Sequence, residues 1–261
     1  MRLLVKLGGT LLDAPESLHA LAAQIAAAVR ERHQTVVVHG GGRQMTRFLA
    51  ERGVESRFVN GLRVTTPEVA DAVLKVFAGT VNKTLTGALL RAGARAVGIS
   101  GLDGLLAESE ALSPELGAVG RVIRTHPEVL DCLIAGGFLP VVACVGGGAD
   151  GAVYNVNADQ MAVACAAGFR ADRLLFLTDV PGVLDGSQRV LPRLAPDECR
   201  RLIAGGVAAG GMEAKLNAAC AALEGGVAQV MIAPGAAPDV IRRLLGGEAL
   251  GTVLAPAKER S

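Results

Sequence analysis

Two lysines in this chain stand beside bare backbone. Lys6 closes the apolar run Leu3-Leu-Val-Lys-Leu7 and is followed by Gly8-Gly9. Lys215 comes four residues after Gly210-Gly211 and opens an Ala-rich helical pattern. An ammonium beside exposed glycine N–H groups is a combination that holds phosphoryl oxygens. A lysine in the first turn of a helix opposes the helix dipole, so Lys215 is expected to meet an anion. Alone, Lys6 also fits an ordinary strand–helix turn.

A second glycine turn repeats the arrangement. The run Val36-Val-Val-His39 ends in Gly40-Gly41-Gly42 and a helical pattern follows. Three glycines leave amides exposed at a helix N-terminus, where the dipole favours negative charge. His39 is read as a hydrogen-bonded structural residue at a strand end rather than as a catalytic base. Arg63, in Gly61-Leu-Arg-Val-Thr65, offers a fork that matches a carboxylate, although a hairpin arginine can equally be solvated. Asn155-Val-Asn-Ala-Asp159 places two amides and a carboxylate within five residues. Capping accounts for Asn157 but not for Asn155, which can hydrogen-bond a substrate carboxylate or amide. Asp159 can orient lysines. Thr178-Asp-Val-Pro-Gly-Val183 follows an apolar strand and resembles a nucleotide-contacting turn; taken alone it is a tight Pro-Gly turn.

These residues need strands and helices in alternation to hold them. Apolar runs predict strands at 3–7, 35–39, 94–100, 139–145, 173–178, 228–232 and 251–254. Helical patterns fall between them at 17–32, 44–52, 67–77, 82–92, 127–135, 159–168, 196–204, 213–224 and 237–245, the first with Ser17 as its cap. Such alternation means βαβ units and a mostly parallel sheet covered on both faces. Asn60-Gly61 signals a hairpin within 57–64, and 105–124 reads as a second β excursion; hairpins of this kind rim a ligand site. A lobe boundary is expected near Gly168, and the residues from Lys258 to Ser261 are expected to fray.

Composition narrows the function. The chain has 261 residues, half of them hydrophobic, with no Trp and one Tyr, and a net charge of +1. Few aromatics and no basic excess argue against nucleic-acid binding. The cysteines Cys132, Cys144, Cys165, Cys199 and Cys220 form no close-spaced pair and read as reduced small hydrophobes, not metal ligands. The N-terminus lacks a signal-peptide pattern and no apolar run reaches membrane-spanning length, so a soluble cytoplasmic protein is expected.

Taken in order, Lys6-Leu-Gly-Gly9, His39-Gly-Gly-Gly42, Gly61-Leu-Arg-Val-Thr65, Val81-Asn-Lys83, Gly101-Leu-Asp-Gly104, Asn155-Val-Asn-Ala-Asp159, Thr178-Asp-Val-Pro-Gly182 and Gly211-Met-Glu-Ala-Lys215 resemble the amino acid kinase family along nearly the whole chain. The resemblance implies a three-layer αβα sandwich around a mainly parallel open sheet, in two lobes. Residues 1–168 would bind the acyl amino acid and dimerise, and residues 169–261 would bind ATP. It implies transfer of the ATP γ-phosphoryl group to the side-chain carboxylate of N-acetyl-L-glutamate, in arginine biosynthesis.

The implied roles map onto individual residues. Lys6 and Lys215 would neutralise the transferring group, with Asp159 orienting both. Gly41, Gly42, Arg63, Asn155 and Asn157 would line the acyl-glutamate site. Gly8, Gly9, Asp179, Val180, Pro181, Gly182, Val183, Leu184, Val207, Ala208 and Ala209 would contact the nucleotide. No carboxylate cluster suggests a metal cage, so Mg²⁺ would arrive on the ATP phosphates. The rival reading is a kinase of the same fold acting on a carrier-linked aminoadipate or glutamate, or on another N-acyl glutamate. A catalytically silent sensor is disfavoured because both lysines and Asp159 are present. Arginine-inhibited relatives carry a helix ahead of the first strand. That strand begins here within two residues of Met1, so a homodimer with little inhibition by arginine is expected.

Overall fold

The computed structural model describes residues 1–256; the fraying expected at Lys258–Ser261 lies outside the described residues. In chain order the elements are β1 (Arg2–Leu7), α1 (Pro15–Arg30), β2 (Gln34–His39), α2 (Gly42–Ala50), β3 (Phe58–Val59), β4 (Leu62–Arg63), α3 (Pro67–Val73), α4 (Asn82–Arg91), β5 (Ala96–Gly101), β6 (Ala107–Ala111), β7 (Val119–Thr125), α5 (Glu128–Ala135), β8 (Leu139–Gly147), β9 (Val153–Val156), α6 (Ala158–Gly168), β10 (Arg173–Thr178), β11 (Arg193–Leu194), α7 (Pro196–Ala204), α8 (Gly210–Glu224), β12 (Gln229–Pro234), α9 (Val240–Leu245) and β13 (Thr252–Leu254).

Eleven of the strands form one sheet in the order β11-β13-β12-β10-β1-β2-β8-β6-β7-β9, with β5 also on β8. The centre, β12-β10-β1-β2-β8-β5, is parallel throughout. Antiparallel pairs occur towards the edges, at β12–β13, β6–β7 and β8–β9. The sheet runs without a break across residue 168, because β10 pairs directly with β1. Except for the half-buried β5, the strands of this centre are buried on both faces and therefore read as continuous apolar runs.

Alternation along each strand divides the core into two layers. Leu3, Val5 and Leu7 pack with α1, α4 and α9 on one face. Leu4, Val36 and Val38 pack on the other with α2, α3, α6 and α8. Lys6 shares the parity of Leu4, so it points into the layer that holds α6 and α8. That single fact of strand geometry places the lysine among the helices that carry the remaining charges.

Several expected boundaries shift. Helix α1 starts at Pro15 with Ala14 before it, and Ser17 is its third residue, not its cap; proline pre-sets φ at the first helical position. The helices expected at 67–77 and 82–92 are one continuous run, because a π-helical stretch, Leu74–Val81, absorbs Gly79 and joins α3 to α4. Asn155 lies in a strand of its own, β9. Helix α8 begins at Gly210, so Lys215 is its sixth residue and sits in the second turn rather than the first. The dipole argument for Lys215 is weakened accordingly, and its partner must be found in the tertiary structure. The cysteines are free, with Cys132 exposed and the others buried. Burial pushes the Cys144 and Cys165 thiols up to about 12, as expected of small hydrophobes.

Both expected β excursions form. Asn60 and Gly61 take φ of 49° and 78° between β3 and β4, the left-handed pair a two-residue hairpin requires. The excursion β6–β7 reaches this hairpin at Gly117. Gly117 has φ of 65°, and a Cβ there would lie 2.3 Å from the Thr65 carbonyl oxygen. Thr65 N–H donates to Leu116 O at 2.9 Å and Ala118 N–H to Thr65 O at 2.8 Å. Gly117→Ala is expected to cost about 1–3 kcal/mol from the backbone conformation alone, with the clash adding to it. Urea unfolding monitored by circular dichroism measures it; an unchanged midpoint would mean that the hairpin is not clamped here.

Candidate active site

The site is organised around one carboxylate. Asp159 is the second residue of α6, whose N-cap is Asn157. The Asn157 side-chain oxygen accepts from Asp159 N–H at 2.9 Å and Gln160 N–H at 3.2 Å. The cap fixes the first turn and aims Asp159 at the end of β1. Lys6 Nζ lies 2.6 Å from Asp159 Oδ1, and Lys215 Nζ lies 3.1 Å from Oδ2. Lys6 and Asp159 are 6% and 8% exposed. Burial alone would push the Asp159 carboxyl up, but the two ammonium groups outweigh it and hold it below the usual carboxylate range. The three charges, two of them buried and Lys215 half-buried, sum to +1. A buried charge without a counter-ion is costly, so this surplus selects an anion.

Backbone donors adjoin these charges. Strands β1 and β2 are parallel neighbours with Leu7 opposite His39, so both glycine turns leave the sheet together. A Cβ on Gly9 would lie 3.4 Å from Gly42 N and 3.5 Å from Gly41 N, so the turns meet backbone to backbone. Gln44 spans them, donating to Gly9 O at 3.3 Å and to Asp13 Oδ1 at 2.8 Å. Gly8 N–H is taken by Leu177 O at 2.9 Å, which ties this turn to β10. Gly41 carries no Cβ because Phe77 of the π segment fills that space, 2.9 Å away. Gly42 opens α2 with nothing near its own Cβ position, and the helix N-terminus there presents amides to an anion.

His39 is structural, as expected. It is fully buried; Nδ1–H donates to Gly40 O at 2.8 Å and Nε2 accepts from Asn82 Nδ2 at 3.0 Å. Asn82 Nδ2 also donates to Val141 O at 2.9 Å. A proton on Nε2 would face another donor, and burial already drives the His39 pKa down to about 4. The imidazole is therefore neutral, and its bond to Gly40 O sets the glycine turn.

Arg63 is not a solvated hairpin residue. Its guanidinium donates to Gly42 O at 3.2 Å, to Thr46 Oγ1 at 2.8 Å and to Ser56 Oγ. It also stacks 4.6 Å over Phe58. The hairpin thus bends back onto the first turns of α2. Asn155 Nδ2 donates to Thr65 Oγ1 at 2.9 Å. Thr46, Ser56, Thr65 and Gln44 were not anticipated as parts of the site. Only Thr65 carried a signal, as the last residue of the Arg63 motif.

The segments expected at the nucleotide flank the lysines. Leu177 lies opposite Leu7, so Asp179–Leu184 leaves the sheet beside the Gly8 turn. Gly182 takes φ of 147° against Thr252, whose hydroxyl accepts from Val183 N–H at 2.8 Å. Val207, Ala208 and Ala209 lead directly into α8 and Lys215. Among the described residues, Asp179 accepts only from its neighbour, Thr178 Oγ1, at 3.1 Å. Among the described residues no group of three or more His, Cys, Asp or Glu is placed to hold a metal ion. A cavity of about 180 Å³ lies between α1 and α9 and one of about 380 Å³ at the C-terminal end of α1, and neither is lined by a residue expected at the site.

Two converging ammonium groups and paired glycine turns gather at the carboxyl edge of a parallel sheet, with the Arg63 hairpin folded onto one of the turns, an arrangement suited to anions. The amino acid kinase family model matches residues 1–234, and the chain belongs to that family. It is 61% identical over 257 residues to the acetylglutamate kinase of Solibacter usitatus (strain Ellin6076), covering 98% of this chain and 100% of that one. It is 44% identical to the acetylglutamate kinase of Acidobacterium capsulatum over 92% of this chain and 94% of that one. Among solved structures, N-acetylglutamate synthase from Neisseria gonorrhoeae complexed with coenzyme A and N-acetyl-glutamate superposes with a TM-score of 0.87 at 26% identity. That match covers 100% of this chain and 60% of the synthase, so the chain spans about three-fifths of its length. Giardia carbamate kinase shares the fold, at a TM-score of 0.74 and 16% identity over 98% of each chain.

The buried imidazole makes stability depend on pH. His39 titrates near 4 when folded and near 6.5 when unfolded. The unfolded chain therefore takes the proton first as pH falls. The contribution is fully present above pH 6.5 and is lost towards pH 4, roughly 3 kcal/mol across the window. The depressed Asp159 acts lower, losing its contribution as pH falls below the ordinary 3.8. Urea unfolding between pH 7 and 4.5 should show a slope that His39→Gln flattens; equal slopes in both proteins would refute the neutral buried histidine.

Proposed function

We propose that this chain transfers the γ-phosphoryl group of ATP to the side-chain carboxylate of N-acetyl-L-glutamate, giving N-acetyl-L-glutamyl 5-phosphate in arginine biosynthesis. The observation that carries the reading is the Lys6–Asp159–Lys215 arrangement around a buried carboxylate, with its charge surplus of one. The acetylglutamate kinases at 61% and 44% identity support the acceptor.

The reaction needs no general base. A side-chain carboxylate with a pKa of about 4.3 is already an ionised nucleophile at neutral pH. One of its oxygens forms the new bond to the γ-phosphorus while the bond to the β–γ bridging oxygen breaks, and ADP leaves with that electron pair. The catalytic burden is to hold two anions in line and to stabilise charge on the transferring group. Lys6 and Lys215 supply that charge. Asp159 prevents the ammonium groups from drifting without neutralising both. Gly9 and Gly42 amides would donate to phosphoryl oxygens, and Gly41, Gly42, Arg63 and Asn155 would bind the acyl amino acid.

The cap bonds engage the side-chain oxygen of Asn157, and its amide N–H₂ is assigned to the substrate. Residues 1–168 are assigned to the acyl amino acid and 169–261, with Asp179–Leu184 and Val207–Ala209, to ATP. Asp159 is engaged by both lysines, so the fitting route for Mg²⁺ is on the ATP phosphates. No helix among the described residues is long and apolar enough to cross a membrane. We assign the enzyme to the cytoplasm. We also assign it a two-fold dimer, the commonest closed assembly.

Lys6→Ala and Lys215→Ala are each expected to lower kcat by about 10²–10³, the scale of a lost transition-state donor. Arg63→Ala should raise the KM for N-acetyl-L-glutamate by about tenfold or more while moving the KM for ATP little. A coupled ADP-release assay on the folded variants measures both. Normal turnover without either lysine would remove the proposed chemistry, and a selective loss of ATP affinity in Arg63→Ala would reverse the two subsites.

A further inference from the structure

We infer that Thr65 is a positioning residue whose single hydroxyl sets the relative placement of Arg63 and Asn155, the two polar arms assigned above to the acyl amino acid; the inference rests on that reading. Thr65 is completely buried. Its Oγ1–H donates to the Arg63 carbonyl oxygen at 2.9 Å, and the same oxygen accepts from Asn155 Nδ2 at 2.9 Å. A hydroxyl has one proton to give and can accept at the same time, so one atom links the backbone of the hairpin to the side chain on β9. Arg63 and Asn155 are 92 residues apart in sequence.

The surroundings fix the hydroxyl rather than leaving it to find its partners. On either side of Gly117, the bonds to Leu116 and Ala118 hold the Thr65 backbone. Ala118 O in turn accepts from Asn155 N–H at 2.8 Å, so the residues on both sides of the link hang on one short segment. At its far end Arg63 reaches Gly42 O and Thr46. The glycine turn, the hairpin and β9 therefore form one hydrogen-bonded chain with Thr65 in the middle. An amide of Asn155 held by Thr65 has its orientation set as well, since its donor side faces the hydroxyl and its oxygen faces away. In a dry site a lost bond leaves two polar groups unpaired, and the groups re-aim to recover partners.

Thr65→Val keeps the shape and removes both bonds, while Thr65→Ser keeps the hydroxyl. Steady-state kinetics with N-acetyl-L-glutamate and ATP should show the acyl-glutamate KM raised about tenfold in the Val variant, with the ATP KM within about twofold of wild type. The Ser variant should return to within about threefold of wild type. Should the Val variant fail to fold, Thr65→Cys, of similar bulk with a weak thiol donor, replaces it, and Cys and Ser variants with equal acyl-glutamate KM overturn the inference. A lowered Tm with both KM values unchanged also overturns it, as that is what a purely structural threonine would give. A wild-type protein inactive on N-acetyl-L-glutamate overturns the functional reading and this assignment with it; an active wild type with an insensitive Val variant overturns the assignment alone.

Discussion

The structure depends on a buried carboxylate held between two ammonium groups, one buried and one half-buried. Each buried partner alone would be an expensive charge. Together they are tolerated only if Lys6, Asp159 and Lys215 arrive from three elements within bonding distance. Strand β1 is central in the sheet and cannot move, and its alternation sends Lys6 to the face of α6 and α8. Helix α6 is pinned by the Asn157 cap. Helix α8 packs on α6 through small residues, among them Ala218, Ala219 and Ala222, which let the backbones approach. The abundance of alanine and glycine in this chain has here a mechanical purpose: close layers keep three charges from three distant stretches of sequence in register.

Much of this was legible in the residues. A parallel strand buried on both faces must be apolar throughout, so the strands at 3–7 and 173–178 could be read almost to the residue. A lone lysine in such a run must have a reason. The Asn60-Gly61 turn was legible because only left-handed residues close that hairpin. Other features were hidden because local pattern does not encode them. Gly79 looks like a helix break, yet tertiary packing of Phe77 and Val81 over Gly41 carries the helix through it as a π segment. Four residues of β9 are too few for periodicity to separate them from the helix that follows. Lys215 was placed one turn too early because Gly210 and Gly211 were counted as linker, although an N-terminal turn accepts glycine readily.

The glycine turns show how local and global choices agree. Gly41 has no side chain because Phe77 occupies that volume, and Gly9 has none because the neighbouring turn's amides lie against it. Neither position demands a left-handed backbone. What they demand is approach, two main chains close enough to present their N–H groups to the same anion. The neutral His39 belongs to this device. Its proton on Nδ1 goes to Gly40 O, and Asn82 holds the other nitrogen as an acceptor, so the turn is locked from behind by groups that never face substrate.

On the proposed assignment, the acceptor side is built on a different physical basis from the phosphoryl side. At the lysines, long-range charge does the work, and a misplacement of a few tenths of an ångström changes a Coulomb interaction only slightly. At Arg63 and Asn155 the work is directional: hydrogen bonds weaken steeply when donor and acceptor fall out of line. That half of the site therefore needs bracing from several elements, and it has it, from α2 through Thr46, from the hairpin through Ser56 and from the β6–β7 excursion through Gly117. The excursions expected as rims are thus braces first. A rigid sheet supplies the charges, and an annex of short strands, cross-tied by side-chain hydroxyls, supplies the orientation.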